Sequence, residues 1–279
     1  MSKLIVIPSS LDELEELSKL EVDGFIIGID NYSVELPFYV SLEDAIKVIN
    51  KYSNKEIIIS LNKIMHNNDL DLLKEILFKL SDIGNVKVMF YDMSVYKIVR
   101  DNNLNIELIV SQEHLNTSIN SNKFYEKLGI KYSYISSDIT KEELLDIKKN
   151  TNLKILFNVY GYIPIFNSRR SLVTNYLDYI NTSKEDKIYY IEQDDIKHPI
   201  VESKLGSTIY TKEPINLINR IKEIEIIDYY ILNSFNIDHD KFIKDLERFI
   251  NKEYSDKEYY VGFFDTKTIY KVKNKEGDI

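Results

Sequence analysis

The sequence predicts an α/β fold, a (β/α)8 TIM-barrel-like domain over residues 1–255 followed by an extended β tail over residues 256–279. Two observations predict it. Short apolar runs recur roughly every 25 to 30 residues, and amphipathic helical stretches separate them. A chain of 279 residues with 44% hydrophobic content can also bury the large core that a barrel needs.

Eight runs rich in Ile, Val or Tyr are short enough to be strands that are buried on both faces. They cover residues 4–7, 24–29, 56–61, 86–91, 106–111, 132–136, 154–159 and 229–232. Helices are predicted to begin after Ser10, Ser41 and Thr140, because each hydroxyl is followed three residues later by a carboxylate. Gly84 and Gly129 follow helices and precede strands, where a positive φ is needed.

The regular pattern ends after about residue 176, where a polar and charged segment begins. We interpret residues 178–212, approximately, as an irregular insertion before the last βα unit. A helix over residues 214–224, the strand at 229–232 and a helix over 239–250 are predicted to complete the eighth unit.

Composition excludes several functions. The chain has no cysteine, which excludes disulfides, thiol nucleophiles, cysteine-ligated zinc and a conventional iron-sulfur cluster. A net charge of -9 gives no general attraction to nucleic acid, so RNA binding would need a local basic patch or a partner protein. No apolar stretch is long enough to span a membrane, and we expect a cytoplasmic protein.

Polar residues at the carboxyl ends of the predicted strands are the first candidates for a site, because parallel βα barrels place their sites there. These residues are Asp30, Asn31, Asn62, Asp92, Gln112, Glu113, Ser136, Ser137, Asp138, Tyr160 and Asn233. Asn62, Gln112 and Tyr160 are the ones expected to line a pocket. The alternative is that such residues cap helices and close loops.

The most unusual segment follows the seventh strand. Gly161 predicts a tight turn, and Arg169 and Arg170 place two guanidinium groups near the carboxyl end of that strand, where barrels bind phosphate or carboxylate groups. Asn175 follows in the same segment. Equally, both arginines could pair with acidic loops as surface ions.

Common catalytic motifs are missing from the sequence. There is no G-x-S-x-G, P-loop or G-x-G-x-x-G sequence. The histidines have no metal-ligand spacing, so we expect no metal site; they are His66, His114, His198 and His239.

The arginine segment also resembles a family motif, in which His-Gly is followed by a Cys, an Arg-Cys pair and a Ser-Asn-Tyr stretch. Gly161, Arg170, Asn175 and Tyr176 match it. Further similar stretches lie at residues 6–14, 59–62, 65–67, 111–112, 198–202 and 206–210. On these residues the chain resembles peptidase family U32, and the likeness covers nearly its whole length.

The sequence departs from that motif at its cysteines. Pro164 and Ser171 stand at the first two cysteine positions and Tyr160 replaces the His. The chain is therefore similar to a short, cysteine-less branch of the family, in which no iron-sulfur cluster is expected.

The resemblance implies a function. Cysteine-bearing members are linked to oxygen-independent hydroxylation, and the cysteine-less branch resembles proteins of tRNA wobble-uridine 5-hydroxylation. It implies a subunit that works with a cysteine-bearing U32 relative and meets tRNA through that partner. In this interpretation Arg169 and Arg170 hold an anionic group. Two alternatives stay open: a peptidase or other hydrolase, and a catalytically silent ligand-binding scaffold.

Overall fold

The computed structural model describes residues 2–112, 115–185 and 187–266, with the side chain of Gln193 excepted. In chain order its strands are β1 (Lys3–Ile7), β2 (Gly24–Ile29), β3 (Tyr39–Val40), β4 (Glu56–Leu61), β5 (Lys87–Phe90), β6 (Glu107–Ser111), β7 (Tyr132–Tyr134), β8 (Lys154–Gly161), β9 (Pro164–Ser168), β10 (Tyr189–Gln193), β11 (Ile196–Ser203), β12 (Gly206–Tyr210), β13 (Ile215–Asn216) and β14 (Tyr229–Asn233). The α-helices are α1 (Leu11–Leu17), α2 (Leu42–Lys51), α3 (Leu70–Ile83), α4 (Met93–Asp101), α5 (Ile119–Lys127), α6 (Lys141–Asn150), α7 (Leu172–Tyr179) and α8 (His239–Asn251).

Eight parallel strands form a closed barrel. Their order is β1, β14, β8, β7, β6, β5, β4 and β2, and β1 pairs with β2 to close the ring. The short strand β3 adds to the end of β2. The predicted (β/α)8 barrel is therefore confirmed, with all eight strands within a few residues of their predicted bounds.

Alternation along the strands separates two layers of core. Ile5, Ile26, Ile58 and Met89 belong to a buried cluster that fills the barrel, whereas their strand neighbours, such as Val6, pack outward against the helices. The interior is thus filled by side chains, and a ligand can enter only at its ends.

The predicted helix starts are confirmed by hydrogen bonds. Ser10 and Ser41 accept bonds from the N–H groups three residues on, and Thr140 forms a full capping box with Glu143. Gly84 and Gly129 both have positive φ, as expected for residues that follow helices.

A second, antiparallel sheet stands beside the barrel between β8 and β13. Its strand order is β10, β11, β12 and β9, and α7 packs on it through Val173, Leu177 and Ile200. Strands β10 to β12 fall within the predicted insertion. The sheet begins at Pro164, before the predicted start of the insertion, because β9 pairs with β12. These two strands are far apart in sequence, and no local pattern predicts their pairing.

The last unit differs from the predicted helix over residues 214–224. β13 instead pairs antiparallel with β8, and a 3-10 helix follows at Ile218–Ile224. The N–H of Asn216 donates to Tyr260 O (2.9 Å) and that of Leu217 to Val159 O (2.9 Å), so tertiary hydrogen bonds hold the start of the predicted helix in an extended conformation. Helix α8 agrees with its prediction.

The tail packs on the barrel. The N–H of Lys141 donates to the carbonyl of Phe264 at 2.9 Å, and the Phe264 ring is buried. Through Thr266 the described part of the tail turns without forming a strand; residues 267–279, where the rest of the β tail was predicted, lie outside the described residues. Within the described part of the chain no helix is long and apolar enough to cross a membrane.

Candidate functional site

Two neighbouring cavities lie at the carboxyl end of the barrel. The inner one, of about 70 Å³, sits directly over the barrel core and includes Met89, Asn158 and Asn233 in its walls. The outer one, a cleft of about 390 Å³, lies between the loop after β2, the end of β4 and strand β9. Glu35 and Asn62 line both. The outer cleft has the size of a small-molecule site.

Strand-end residues build the inner cavity, as parallel-barrel geometry predicts. Asn62, Ser136, Ser137, Asp138 and Asn233 all line it. Their hydrogen bonds also give several of them a role in closing loops: for example, the Asn233 side chain accepts from the N–H of Phe235 at 2.9 Å.

Asn62 fixes the loop that forms the shared wall. Its Oδ1 accepts from the N–H of Val34 at 2.9 Å, and its Nδ2 donates to the carbonyl of Val34 at 3.0 Å. Both polar ends of the side chain are used by the loop. Asn62 therefore shapes the cavities, with its amide group satisfied by the protein.

Cationic side chains from distant parts of the chain meet in the outer cleft. Lys63 follows β4, and Arg169 and Lys204 come from the second sheet. The carboxylates in the same cleft are Glu35 and Asp69, and Lys63 pairs with Asp69 at 2.9 Å. Among the described residues neither Arg169 nor Lys204 has a carboxylate partner within 4.0 Å. The cleft is thus locally cationic in a chain of net charge -9, which suits an anionic ligand.

Arg169 also contacts His66 across the cleft. Its Nη1 donates to Nε2 of the imidazole, since a guanidinium has no acceptor. This contact joins the second sheet to the loop after β4, the third barrel strand in chain order, 103 residues away in sequence. It positions the exposed side chain of Arg169 at the cleft wall, whereas that of Arg170, which is also exposed, does not line the cleft.

The remaining predicted residues lie elsewhere. Gln112 accepts from the Tyr125 hydroxyl and donates to Tyr91 O at 3.4 Å, and it lines neither cavity. Asn175 is exposed on α7. Arg170 contributes backbone contacts, because its carbonyl accepts from the Ser207 hydroxyl at 2.9 Å.

Tyr160 requires a correction. The prediction placed it in the pocket, but its ring is 2% exposed and packs against Phe242 and Phe249 of α8. Its hydroxyl donates to Asp245 at 2.6 Å. Burial and the adjacent carboxylate raise the pKa of Tyr160. Regular alternation would place it on the same face as Asn158, which lines the inner cavity, but the bulge in the pairing of β8 with β14 turns Tyr160 toward the helix layer.

Gly161 has a steric role at the end of β8. Its φ is +113°, and a Cβ added there would lie 2.3 Å from the carbonyl oxygen of Asn233. Only glycine allows β8 and β14 to approach so closely at this point. The matched motif residue therefore shapes the barrel rim and does not itself contact a ligand through a side chain.

A polar chain at the same end of the barrel bears on the hydrolase alternative. Ser9 and Ser234 share a hydrogen bond of 2.6 Å, and Ser234 donates to Glu13 at 2.8 Å. His239 contacts the other oxygen of Glu13, at 3.4 Å. The carboxylate stands between hydroxyl and imidazole, so His239 is not placed to take a proton from either serine.

Sequence reasoning missed three cleft residues. Lys63 directly follows the predicted Asn62, so its position beside the site could have been inferred. Lys204 and Glu35 carry no local signal, because only the second sheet and the loop after β2 bring them to the cleft. His114, the fourth of the histidines considered above, lies outside the described residues.

The fold and site define a class, a (β/α)8-barrel protein with a cationic cleft at the carboxyl end of its strands. Residues 9–186, well over half of the chain, match Peptidase family U32, and the chain belongs to this family. The tRNA hydroxylation protein P2 of Bacillus subtilis (strain 168) is 27% identical over 247 residues, which span 85% of this chain and 79% of that protein.

Solved structures with a similar shape are distant in sequence. A putative phosphonomutase from Burkholderia cenocepacia has a TM-score of 0.47 at 6% identity, covering 90% of this chain and 94% of its own. 3-Hexulose-6-phosphate synthase from Salmonella typhimurium has a TM-score of 0.46 at 12% identity, covering 91% and 100%. The barrel assignment rests on the strand pairing itself.

The family motif implies an iron-sulfur cluster, and the residues of this chain do not fit one. The chain has no cysteine, and Pro164 and Ser171 occupy motif positions that would supply thiolates. Pro164 begins β9 and Ser171 precedes α7. Within the described part of the chain no group of three or more His, Asp or Glu side chains is placed to hold a metal ion.

Proposed function

We propose that this chain takes part in the 5-hydroxylation of wobble uridines in tRNA, as a subunit that lacks its own iron-sulfur cluster. The observation that carries the proposal is the cationic cleft at the carboxyl end of a U32 barrel, whose 27% identical relative is named a tRNA hydroxylation protein. The cleft would hold an anionic group of the RNA or of a small carboxylate, with Arg169 as its main contact.

Arg169 is suited to this role by its position. Its only side-chain partner among the described residues is His66, so no carboxylate competes for the guanidinium. The guanidinium binds phosphate or carboxylate through two parallel N–H bonds. Lys204 adds a second cation from the same sheet.

A partner follows from the chemistry. Hydroxylation needs a redox centre that this chain cannot ligate through cysteine, so we propose a cysteine-bearing U32 relative as the second subunit. The second sheet offers a contact surface for it: Tyr176 and Tyr179 lie three residues apart on one face of α7 and are 63% and 83% exposed. Exposed tyrosines are enriched at protein interfaces.

Nucleoside mass spectrometry of tRNA tests the proposal. 5-Hydroxyuridine derivatives are quantified in cells with the gene, without it, and with the gene restored, in a strain lacking any redundant pathway. The proposal expects these nucleosides to disappear on deletion and to return with the intact gene. Unchanged levels in the deletion strain would refute it.

The partner is tested separately. Affinity purification of the tagged chain from the same cells is expected to recover a cysteine-bearing U32 protein, and a Tyr176→Ser, Tyr179→Ser variant to recover much less. Recovery of no such protein by the wild-type chain would contradict the two-subunit proposal.

A further inference from the structure

Glu35 is a largely buried residue whose carboxylate has no protein partner among the described residues. The residue is 8% exposed and lines both cavities at the barrel mouth. No hydrogen-bond donor or cation among the described residues contacts its carboxylate, whereas the neighbouring Asp69 pairs with Lys63. Its carboxylate oxygens are not among the fully buried unpaired atoms, so they keep accessible surface at the cavity wall and are open to a donor from a ligand.

The backbone conformation of Glu35 also indicates a functional position. Its φ is +66°, in the left-handed region that glycine, asparagine and aspartate adopt most readily. The other described non-glycine residues with positive φ are Asn or Asp, apart from Lys252 at the end of α8. A glutamate held in this conformation at a cavity wall is characteristic of strain stored at a functional site.

The rest of the outer cleft restricts the ligand. Arg169 and Lys204, which have no carboxylate partner among the described residues, place two cations in the same cleft as the Glu35 carboxylate. Phe166 of β9 lines the cleft and is 47% exposed, which leaves a ring face for a planar group. The volume of about 390 Å³ suits a molecule of nucleotide size.

These three features match the base edge, the base face and the phosphate of a nucleotide. We propose that the outer cleft binds one nucleotide whose base edge presents an N–H donor: Glu35 accepts that N–H, Phe166 stacks on the base, and Arg169 with Lys204 holds the phosphate. The assignment rests on the proposed function for the choice of RNA as the source of the nucleotide. Aromatic stacking and hydrogen bonds to base edges are how proteins recognise unpaired RNA bases.

Glu35 is thus a specificity-determining residue. A carboxylate can only accept hydrogen bonds, so it favours a base that donates at this edge and disfavours one in which the donor is blocked. A site built to bond an N–H group rejects analogues that lack it, because its own polar group is then left unpaired.

The experiment is calorimetric titration of the purified chain with uridine 5′-monophosphate, with its N3-methyl derivative, and with sulfate. The wild-type chain is expected to bind the unmethylated nucleotide at least about tenfold more tightly than the methylated one. Glu35→Gln should reduce this preference, because a neutral amide oxygen is a weaker acceptor than a carboxylate, and should leave sulfate binding equal or tighter, since a negative charge has been removed. Arg169→Ala should weaken nucleotide and sulfate together by about tenfold.

Glu192→Gln is the matched control, because Glu192 lies exposed on β10 and, of the residues that the structure describes, forms an ion pair with Lys197 alone, at 3.3 Å. It should bind all three probes like the wild type. Equal affinity of the wild-type chain for both nucleotides, or no binding of either, would overturn the proposal without any variant. Weakening of sulfate by Glu35→Gln would assign Glu35 a structural role. Because these titrations use the isolated chain, their failure is distinguishable from failure of the tRNA test in cells.

Discussion

Glu202 joins α7 to the second sheet, and its replacement should loosen that unit selectively. The carboxylate is 3% exposed at its side chain and accepts from the N–H groups of Val173 (2.8 Å) and Thr174 (3.1 Å) at the start of α7. Lys184 pairs with it at 2.7 Å. Glu202→Gln keeps the size of the side chain but removes the charge and turns one acceptor into a donor.

The expected magnitude follows from the pKa. Burial alone would raise the pKa of Glu202, but the bonds from Lys184 and Thr174 outweigh it and lower the pKa from 4.5 to about 2. At 1.36 kcal/mol per unit this shift corresponds to roughly 3 kcal/mol of stabilisation of the charged form. Because the folded-state pKa is depressed, this stability is present above pH 4.5 and is lost as the pH falls through about 2.

Hydrogen exchange measured by mass spectrometry is the assay. At pH 7 the α7 amides of Glu202→Gln should exchange about a hundredfold faster than those of the wild type, while the barrel strands keep their protection. Glu192→Gln serves as control and should change α7 exchange by less than about fivefold, as expected for a surface ion pair. Equal exchange of α7 in the two variants would refute the reasoning.

Three further predictions concern the barrel. Gly161→Ala should lower the free energy of unfolding in urea by about 3 kcal/mol or more, because the added Cβ would clash with a backbone carbonyl. Gly129→Ala, where φ is also positive but the space is open, should lower it by only about 1–2 kcal/mol. Equal losses of stability in the two variants would contradict the steric explanation. Tyr160→Phe should lower the stability by about 1.5–3 kcal/mol, because it removes the hydrogen bond from the tyrosine hydroxyl to a carboxylate. Nucleotide binding should be unchanged. Weakened binding would place Tyr160 at the site. Desolvation would lower the pKa of His239, but its hydrogen bonds to Glu16 and Glu13 raise it above the value in the unfolded chain. The stabilisation by protonated His239 is therefore fully present below the unfolded pKa and is lost as the pH rises through the folded pKa. The difference in thermal midpoint between wild type and His239→Gln should be larger at pH 5.5 than at pH 8.5, and a constant difference would contradict this prediction.

Local sequence patterns sufficed for the barrel because each βα unit is specified within some 30 residues. The alternating Ile and Val runs, together with caps such as Ser10 and Thr140, place strands and helices without any distant contact. The region of the second sheet was predicted only as an irregular insertion, since β9 joins β12 across about 40 residues and register over such a distance leaves no local trace.

Sequence reasoning led to some of the residues around the two cavities and missed others. The rule that parallel βα barrels place their sites at the carboxyl ends of the strands led to Asn62 and Asn233, and the two adjacent arginines led to Arg169. Tyr160 was assigned to the wrong face because the bulge in the pairing of β8 with β14 cannot be read from the sequence. Glu35 was not predicted as a site residue, because its burial, its positive φ and the lack of a partner among the described residues all result from tertiary structure.

Complementation of the deletion strain with cleft variants is the most direct test of the central claim, that the cationic cleft serves tRNA hydroxylation. An Arg169→Ala, Lys204→Ala chain is compared with Arg100→Ala, which removes an exposed arginine from α4 on the outside of the barrel. The account predicts that 5-hydroxyuridine derivatives stay absent with the cleft variant, at wild-type protein levels, and return fully with Arg100→Ala. Full restoration by the cleft variant would contradict it.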